Sequence, residues 1–157
     1  MTHAEDAHAL LTAAVGQPEG VGEWVEVSQA RIDAFADVTE DHQFIHVDVE
    51  AAKAGPFGGT IAHGFLTLSL LTHLVSSVPQ DADRARGLVA GVNYGFDKVR
   101  FVSPVRAGAR IRASSVLASA DLKDPRTVQS VRTVTVEIEG ETKPALVAEW
   151  VTRLVYG

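Results

Sequence analysis

The sequence predicts an α+β domain in which an antiparallel β-sheet wraps around one long central helix. Three observations predict it. Up to residue 78, apolar residues recur at three-four spacing between capping residues and Gly-Pro stops. From residue 87 onward, runs rich in Val, Ile, Thr and Arg alternate between polar turn signals. Between the two styles lies a segment without charge, residues 54–80, which reads as a helix apolar on most sides and therefore as the buried centre of the fold. Helices first and strands later indicate the mixed class.

Each element follows from local signals. Ala4 to Val15 carries Ala and Leu at helical spacing and stops before Gly16-Gln17-Pro18. Glu23 to Val27 alternates polar and apolar like a strand. Ser28 is a good N-cap, and Ile32, Phe35, Ala36 and Val38 follow at helical spacing. Residues 39–43 read as a loop, Asp48 as the cap of a short helix through Lys53, and Gly55-Pro56 as its stop. The apolar helix then spans Ile61 to Val78. Strands are expected over 87–94, 96–102, 106–119, 127–139 and 143–156. Val134, Val136 and Ile138 face one way, and Thr135, Glu137 and Glu139 the other, as in a half-exposed antiparallel sheet. No internal repeat or low-complexity linker interrupts the pattern, so a single domain over 1–157 is expected.

Composition limits the function. Hydrophobic residues make up 46% and charged residues 22%, which excludes a disordered or collagen-like chain. Fourteen Lys and Arg against twenty Asp and Glu give a net charge of −6, which argues against bulk binding to nucleic acid. Cysteine is absent, so disulfides, thiol nucleophiles and Cys-zinc sites are excluded. Glu5 and Asp6 precede a short Ala/Leu run, the wrong charge and length for a secretory signal, and a cytoplasmic location is expected. The uncharged stretch 54–80 holds Pro56, four Gly and two His, and no Lys/Arg cluster flanks it, so no membrane span is expected.

Motifs for phosphate loops, dinucleotide folds, nucleophile elbows and zinc proteases are missing. What stands out is Asp41-His42-Gln43-Phe44-Ile45-His46. On a regular helix Asp41 and His46 would lie about 140° apart, but in a loop they can converge. An acid-base pair converging on one water is what reversible addition to a double bond requires. The same residues have a plainer reading, with Asp41 turning the chain and the histidines on the surface, and a weaker metal reading with Asp41, His42 and His46. A second element is Ile61-Ala62-His63-Gly64-Phe65 at the start of the apolar helix. There, unpaired N–H groups and a positive dipole end suit a carbonyl that gains negative charge, and Gly64 bars no ligand. Gly64 alone reads equally well as a tight packing position.

The run Phe35 … Thr39-Glu40-Asp41-x-x-x-Ile45-His46-x-Asp48 … Ala51, followed by Ile61-Ala62-His63-Gly64, resembles the MaoC-like family of (R)-specific enoyl-CoA hydratases. Phe96 … Val99-Arg100-Phe101 … Pro104-Val105 … Gly108 resembles that family's strand, Pro-Val, Gly, strand segment. The motifs cover about residues 25–112. The resemblance implies the hotdog fold, an acyl-CoA thioester substrate, hydration of a trans-2-enoyl-CoA to a (3R)-3-hydroxyacyl-CoA, no cofactor, no metal and a homodimer. It implies Asp41 and His46 as the catalytic pair and the Gly64 N–H as the donor to the thioester carbonyl. It also implies Thr72 as a supporting hydroxyl, His63 as a substrate contact and Phe57 in the acyl tunnel with Phe65 and Leu68. The chain departs from the family at Gln43-Phe44, where Asn-Pro is usual, and at Glu40, where Gly often stands.

CoA is polyanionic, so an acidic protein needs a local basic lip. Between Lys98 and Arg112 there are five basic residues and no acidic one, and Lys98 and Arg100 share a strand face. The plainer reading of these side chains is solvated outward positions. Three other functions share the fold: dehydration of 3-hydroxyacyl groups on acyl carrier protein, thioester hydrolysis, and acyl-thioester binding without catalysis.

Overall fold

The computed structural model describes residues 1–157. Helix α1 (His3–Ala13) opens with a capping box in which the Thr2 hydroxyl accepts from Glu5 N and the Glu5 carboxylate accepts from Thr2 N. It buries Ala4, Ala7 and Leu11 against Leu117, Val128 and Tyr156, a small second core at one end of the sheet.

Two short strands follow, β1 (Pro18–Val21) and β2 (Val25–Glu26), where one strand over 23–27 was expected. Both pair with β4 (Arg110–Asp124) at the sheet margin. Pro18 is tolerated because it is the first residue of an edge strand. Between them the chain passes so close to the central helices that a Cβ on Gly22 would lie 2.5 Å from Ser77 Oγ and 2.8 Å from the Leu74 carbonyl oxygen.

Ser28 caps α2 (Gln29–Thr39) by accepting from Arg31 N. The helix ends at Glu40 with φ 60°, the one non-glycine residue in the left-handed region. A short helix α3 (Phe44–Val47) stands where a loop was expected to continue. Asp48 then caps α4 (Val49–Lys53) by accepting from Ala51 N at 2.9 Å.

The expected long helix is shorter and interrupted. Residues 60–62 are drawn into strand-like pairing with residues 105–107, through Ala62 N to Val105 O at 2.7 Å and Ala107 N to Thr60 O at 3.0 Å. Helix therefore begins only at Gly64. It runs as α5 (Gly64–Ser69) and α6 (Leu71–Ser76), separated at Leu70. The Ser69 hydroxyl donates to the Phe65 carbonyl at 2.7 Å, the back-bonding that bends helices. Leu74 N still reaches Leu70 O at 2.9 Å, so the two pieces act as one central rod.

The two strands expected over 87–94 and 96–102 are one, β3 (Leu88–Phe101), with a register shift at Tyr94, between Asn93 and Gly95, that keeps the pairing with the neighbouring strand continuous. With β5 (Thr127–Ile138) and β6 (Leu146–Tyr156) they complete an antiparallel six-stranded sheet, ordered β1-β4-β5-β6-β3, with β2 beside β1 on β4. Its inner face presents Ile111, Ala113, Val134, Val136, Leu146 and Ala148 to Leu66, Leu71 and Leu74 of the central helices, the hotdog arrangement. No helix is long and apolar enough to cross a membrane.

Candidate active site

Asp41 and His46 do converge. The left-handed turn at Glu40 ends α2, and the single turn of α3 lifts His46 back toward the start of α5. One Asp41 carboxylate oxygen and one ring nitrogen each of His46 and His63 fall within 4.8 Å of one another. Two hydrogen bonds to one water, each about 2.8 Å at a tetrahedral angle, span roughly 4.6 Å, so this spacing suits a shared water.

His46 is 7% exposed and held from three directions. Its Nδ1 donates to the Ile61 carbonyl at 2.7 Å, Gln29 Nε2 donates to its backbone oxygen at 2.7 Å, and Ile61 N donates to the adjacent Ile45 carbonyl at 3.0 Å. A carbonyl can only accept, so Nδ1 carries the proton and the neutral ring presents its lone pair on Nε2. Asp41 differs in character, with a side chain 53% exposed.

His63, the N-cap of α5, is 3% exposed. Its Nε2 donates to the Asp41 carbonyl at 2.9 Å and lies 4.0 Å from Asp41 Oδ2. One ring face stacks on His46, and Phe35 tilts against the ring at 5.0 Å. His63 Nδ1 is buried without a partner. The three residues do not make a metal site. Imidazole lone pairs lie in the ring plane, and two rings stacked 3.8 Å apart at 24° cannot both aim at one ion. His42 turns away altogether and pairs with Asp37 at 2.9 Å on the surface.

A cleft of about 260 Å³ opens beside this cluster, lined by His46, Phe57, Ile61, Gly64, Thr67 and Phe101 among others. Gly64 and Phe65 are the first two residues of α5. No side chain caps the helix, so their N–H groups have no acceptor within it. Gly64 is also a packing position, since a Cβ there would lie 2.9 Å from Phe101 Cδ1.

The other expected site residues distribute unevenly. Phe57 lines the cleft with His46 and Gly64, whereas Asp41 and His63 stand beside it and are absent from its wall. Thr72 lies on α6 and lines a separate cavity of about 410 Å³ with Val75, Asn93 and Trp150. The hydroxyl residues in the cleft are Ser103 and Thr67, the latter one turn beyond Gly64, a position that helical spacing from Gly64 would have picked out. Phe65 is 67% exposed and stands edge-on to Phe101 rather than in a tunnel, and Leu68 packs on the main core.

The basic lip is mostly neutralised. Lys98 donates to Glu149 at 2.8 Å, a hydrogen bond and charge that push its ammonium above the ordinary value. Arg110 binds Glu139, and Arg112 binds Glu137 at 2.8 Å while covering the Trp24 ring. Arg100 turns back to the Val99 carbonyl. Arg106 has no carboxylate partner. Its guanidinium lies over the Gly58-Gly59 turn, 3.8 and 3.9 Å from where their Cβ atoms would stand, and the neighbouring Pro104 and Val105 line the cleft.

Residues 11–140 match the family described as MaoC like domain. Nodulation protein N of Rhizobium leguminosarum bv. viciae is 51% identical over 146 residues, covering 92% of this chain and 88% of that one. The 3-hydroxyacyl-thioester dehydratase Z of Mycobacterium tuberculosis (strain CDC 1551 / Oshkosh) is 48% identical over 147 residues, covering 94% and 95%. The X-ray structure of a monoamine oxidase regulatory protein from Archaeoglobus fulgius superposes with a TM-score of 0.74 at 27% identity, over 91% of each chain.

Proposed function

This chain belongs to the MaoC-like dehydratase family, and on that premise we propose that it hydrates trans-2-enoyl-CoA reversibly to (3R)-3-hydroxyacyl-CoA. The observation that carries the reading is the convergence of an exposed carboxylate, Asp41, and the ring of His46, whose Nε2 is unengaged, beside the unpaired N–H of Gly64.

The steps follow from those groups. The Gly64 N–H donates to the thioester carbonyl oxygen and draws electron density away from C3. A water donates to Asp41 and to His46 Nε2. Asp41 takes one proton as the oxygen attacks C3, and that proton returns to C2 from the same face. One water adds across one double bond, and both side chains end as they began. The 3-hydroxyacyl-thioester dehydratase named above is described by the reverse direction of this chemistry.

Coenzyme A fits better than acyl carrier protein as the thioester's bearer. A carrier protein is expected to need a broad basic docking face, and here Lys98, Arg110 and Arg112 are each spent on a carboxylate. Arg106 remains as the phosphate contact. Two copies join along β3, whose edge is unpaired and carries exposed Val89, Val92, Tyr94 and Phe96.

The test follows loss of the conjugated enoyl absorbance with short- and medium-chain trans-2-enoyl-CoA, with chiral analysis of the product. Asp41→Asn and His46→Gln are each expected to lose about 10²- to 10⁴-fold in rate. Near-wild-type turnover in either variant would overturn the assignment. Release of free thiol would make the protein a thioesterase instead, and tight binding without turnover would make it an acyl-thioester carrier. Sedimentation at micromolar concentration checks the dimer.

A further inference from the structure

We propose that His63 is a positioning residue that sets Asp41 against His46, and not a substrate contact. The inference rests on the hydratase reading for its kinetic readout, but its structural content stands apart from it.

The loop that carries Asp41 is weakly held. It lacks the stiffening that proline would provide, because Gln43-Phe44 stand there. Asp41 Oδ1 accepts only a long contact from Gln43 N at 3.5 Å, and His42 reaches back to Asp37 within the same segment. The hydrogen bond that ties residues 40–43 to a distant part of the chain is His63 Nε2 to the Asp41 carbonyl. His46, by contrast, has its ring fixed by Ile61 and its backbone oxygen by Gln29, and only its backbone N–H, which donates to the Gln43 carbonyl at 2.9 Å, meets the loop. The two reactive groups therefore belong to separately anchored pieces, and His63 is the side chain that touches both. It bonds the backbone of one and stacks on the ring of the other.

His63 also meets the usual test for a residue kept for something other than stability. It is 3% exposed with Nδ1 unpartnered, an arrangement that a purely apolar ring of similar size would avoid. Its donor nitrogen is spent on the Asp41 carbonyl and its ring face on His46, so both of its contacts lie within the protein.

Two substitutions separate the ring's functions. His63→Phe keeps the stack and volume but has no donor for the Asp41 carbonyl. His63→Gln places an amide N–H at the reach of Nε2 but gives up the stack. If His63 positions Asp41, His63→Phe lowers kcat about 100-fold, the scale of a displacement near 1 Å. KM should stay within about twofold and the melting temperature should be unchanged or raised. His63→Gln should recover most of the lost kcat. Hydrogen exchange followed by mass spectrometry should show faster exchange of amides 41–43 in His63→Phe and near-wild-type exchange in His63→Gln.

A wild-type kcat in His63→Phe, or a rise in KM shared by both variants, would overturn the proposal. So would unchanged exchange of the loop. Absence of any turnover in the wild type would defeat the hydratase reading alone, because the exchange measurement still decides whether His63 anchors the Asp41 loop.

Discussion

The rings of His46 and His63 stack with 3.8 Å between centroids, yet they commit opposite nitrogens to carbonyl acceptors. His46 spends Nδ1 on Ile61, and His63 spends Nε2 on Asp41. Neutral imidazole in water favours the Nε2–H form, so His46 is held in the less common tautomer. A ¹⁵N correlation spectrum at about pH 8, where ordinary imidazoles are neutral, should show His46 as Nδ1–H and His63 as Nε2–H. An Nε2–H form of His46 would remove the free Nε2 on which the mechanism depends.

The end of α2 yields a stability prediction. Glu40 sits at φ 60°, a conformation that costs a side chain roughly 1–2 kcal/mol and glycine almost nothing. Part of the gain from Glu40→Gly is returned as extra freedom in the unfolded chain. The net expectation is a stabilisation of about 0.5–1 kcal/mol, read as a higher urea midpoint at unchanged slope. A lower midpoint would mean that the Glu40 side chain has a stabilising role of its own.

At Gly64 two effects have opposite signs. Alanine is the better helix former by about 1 kcal/mol in a helix interior, but its Cβ would stand 2.9 Å from Phe101 Cδ1. A rigid ring that close must move, and it lines the cleft. Gly64→Ala is therefore expected to lower kcat/KM about tenfold or more, because cleft geometry shifts along with the first turn of the helix. Adding Phe101→Ala should restore much of the loss. Equal activity in the single and double variants would show that the Cβ obstructs substrate directly.

Much of this was readable in the residues, and the exceptions share a cause. Ser28 and Asp48 announced their helices because an N-cap is a local bond between neighbours in sequence. Alternation in Val134, Val136 and Ile138 announced the buried sheet face for the same reason. The motif placed Asp41 and His46 together but could not show the Asp41 carbonyl as the partner of His63, since a backbone acceptor has no sequence signature. The basic lip failed on register. Lys98 lies opposite Glu149, and Arg112 opposite Glu137, pairings that depend on which residues of distant strands face one another. The break at Leu70 likewise follows from which acceptor Ser69 chooses.

Away from the site, Glu19 on β1 binds Arg132 at 2.9 Å and Ser115 at 2.6 Å, with Arg84 at 3.3 Å, in a nearly closed setting. Burial pushes its carboxyl up, but the Arg132 charge, the Ser115 and Arg132 hydrogen bonds and the Arg84 charge together hold it below the ordinary 4.5. A depressed carboxylate stabilises fully above its unfolded value and loses that stabilisation as pH falls through the folded one. Glu19→Gln leaves Arg132 buried without its countercharge, so a loss of about 3–5 kcal/mol is expected at neutral pH. The gap between variant and wild type, measured by urea unfolding, should narrow as pH falls below 4.5 and close once it passes the depressed folded value. A gap that persists there would assign the effect to packing.

Arg106 supplies the test of which end of the substrate the rim recognises. It is exposed, so its contact with a phosphate is weakened by water and salt, and the effect of Arg106→Gln is expected to be modest. KM for an enoyl-CoA should rise about three- to tenfold with kcat unchanged, because the contact lies far from the reacting atoms and serves ground and transition states equally. The same variant should leave KM unaltered for the enoyl thioester of N-acetylcysteamine, which lacks every phosphate. Arg110→Gln is the matched control, since Arg110 already spends its charge on Glu139. A KM shift that appears equally with the phosphate-free thioester would place Arg106 in the cleft's shape instead. A shift with Arg110→Gln and none with Arg106→Gln would move the phosphate contact from the Gly58-Gly59 turn to the outer face of β4.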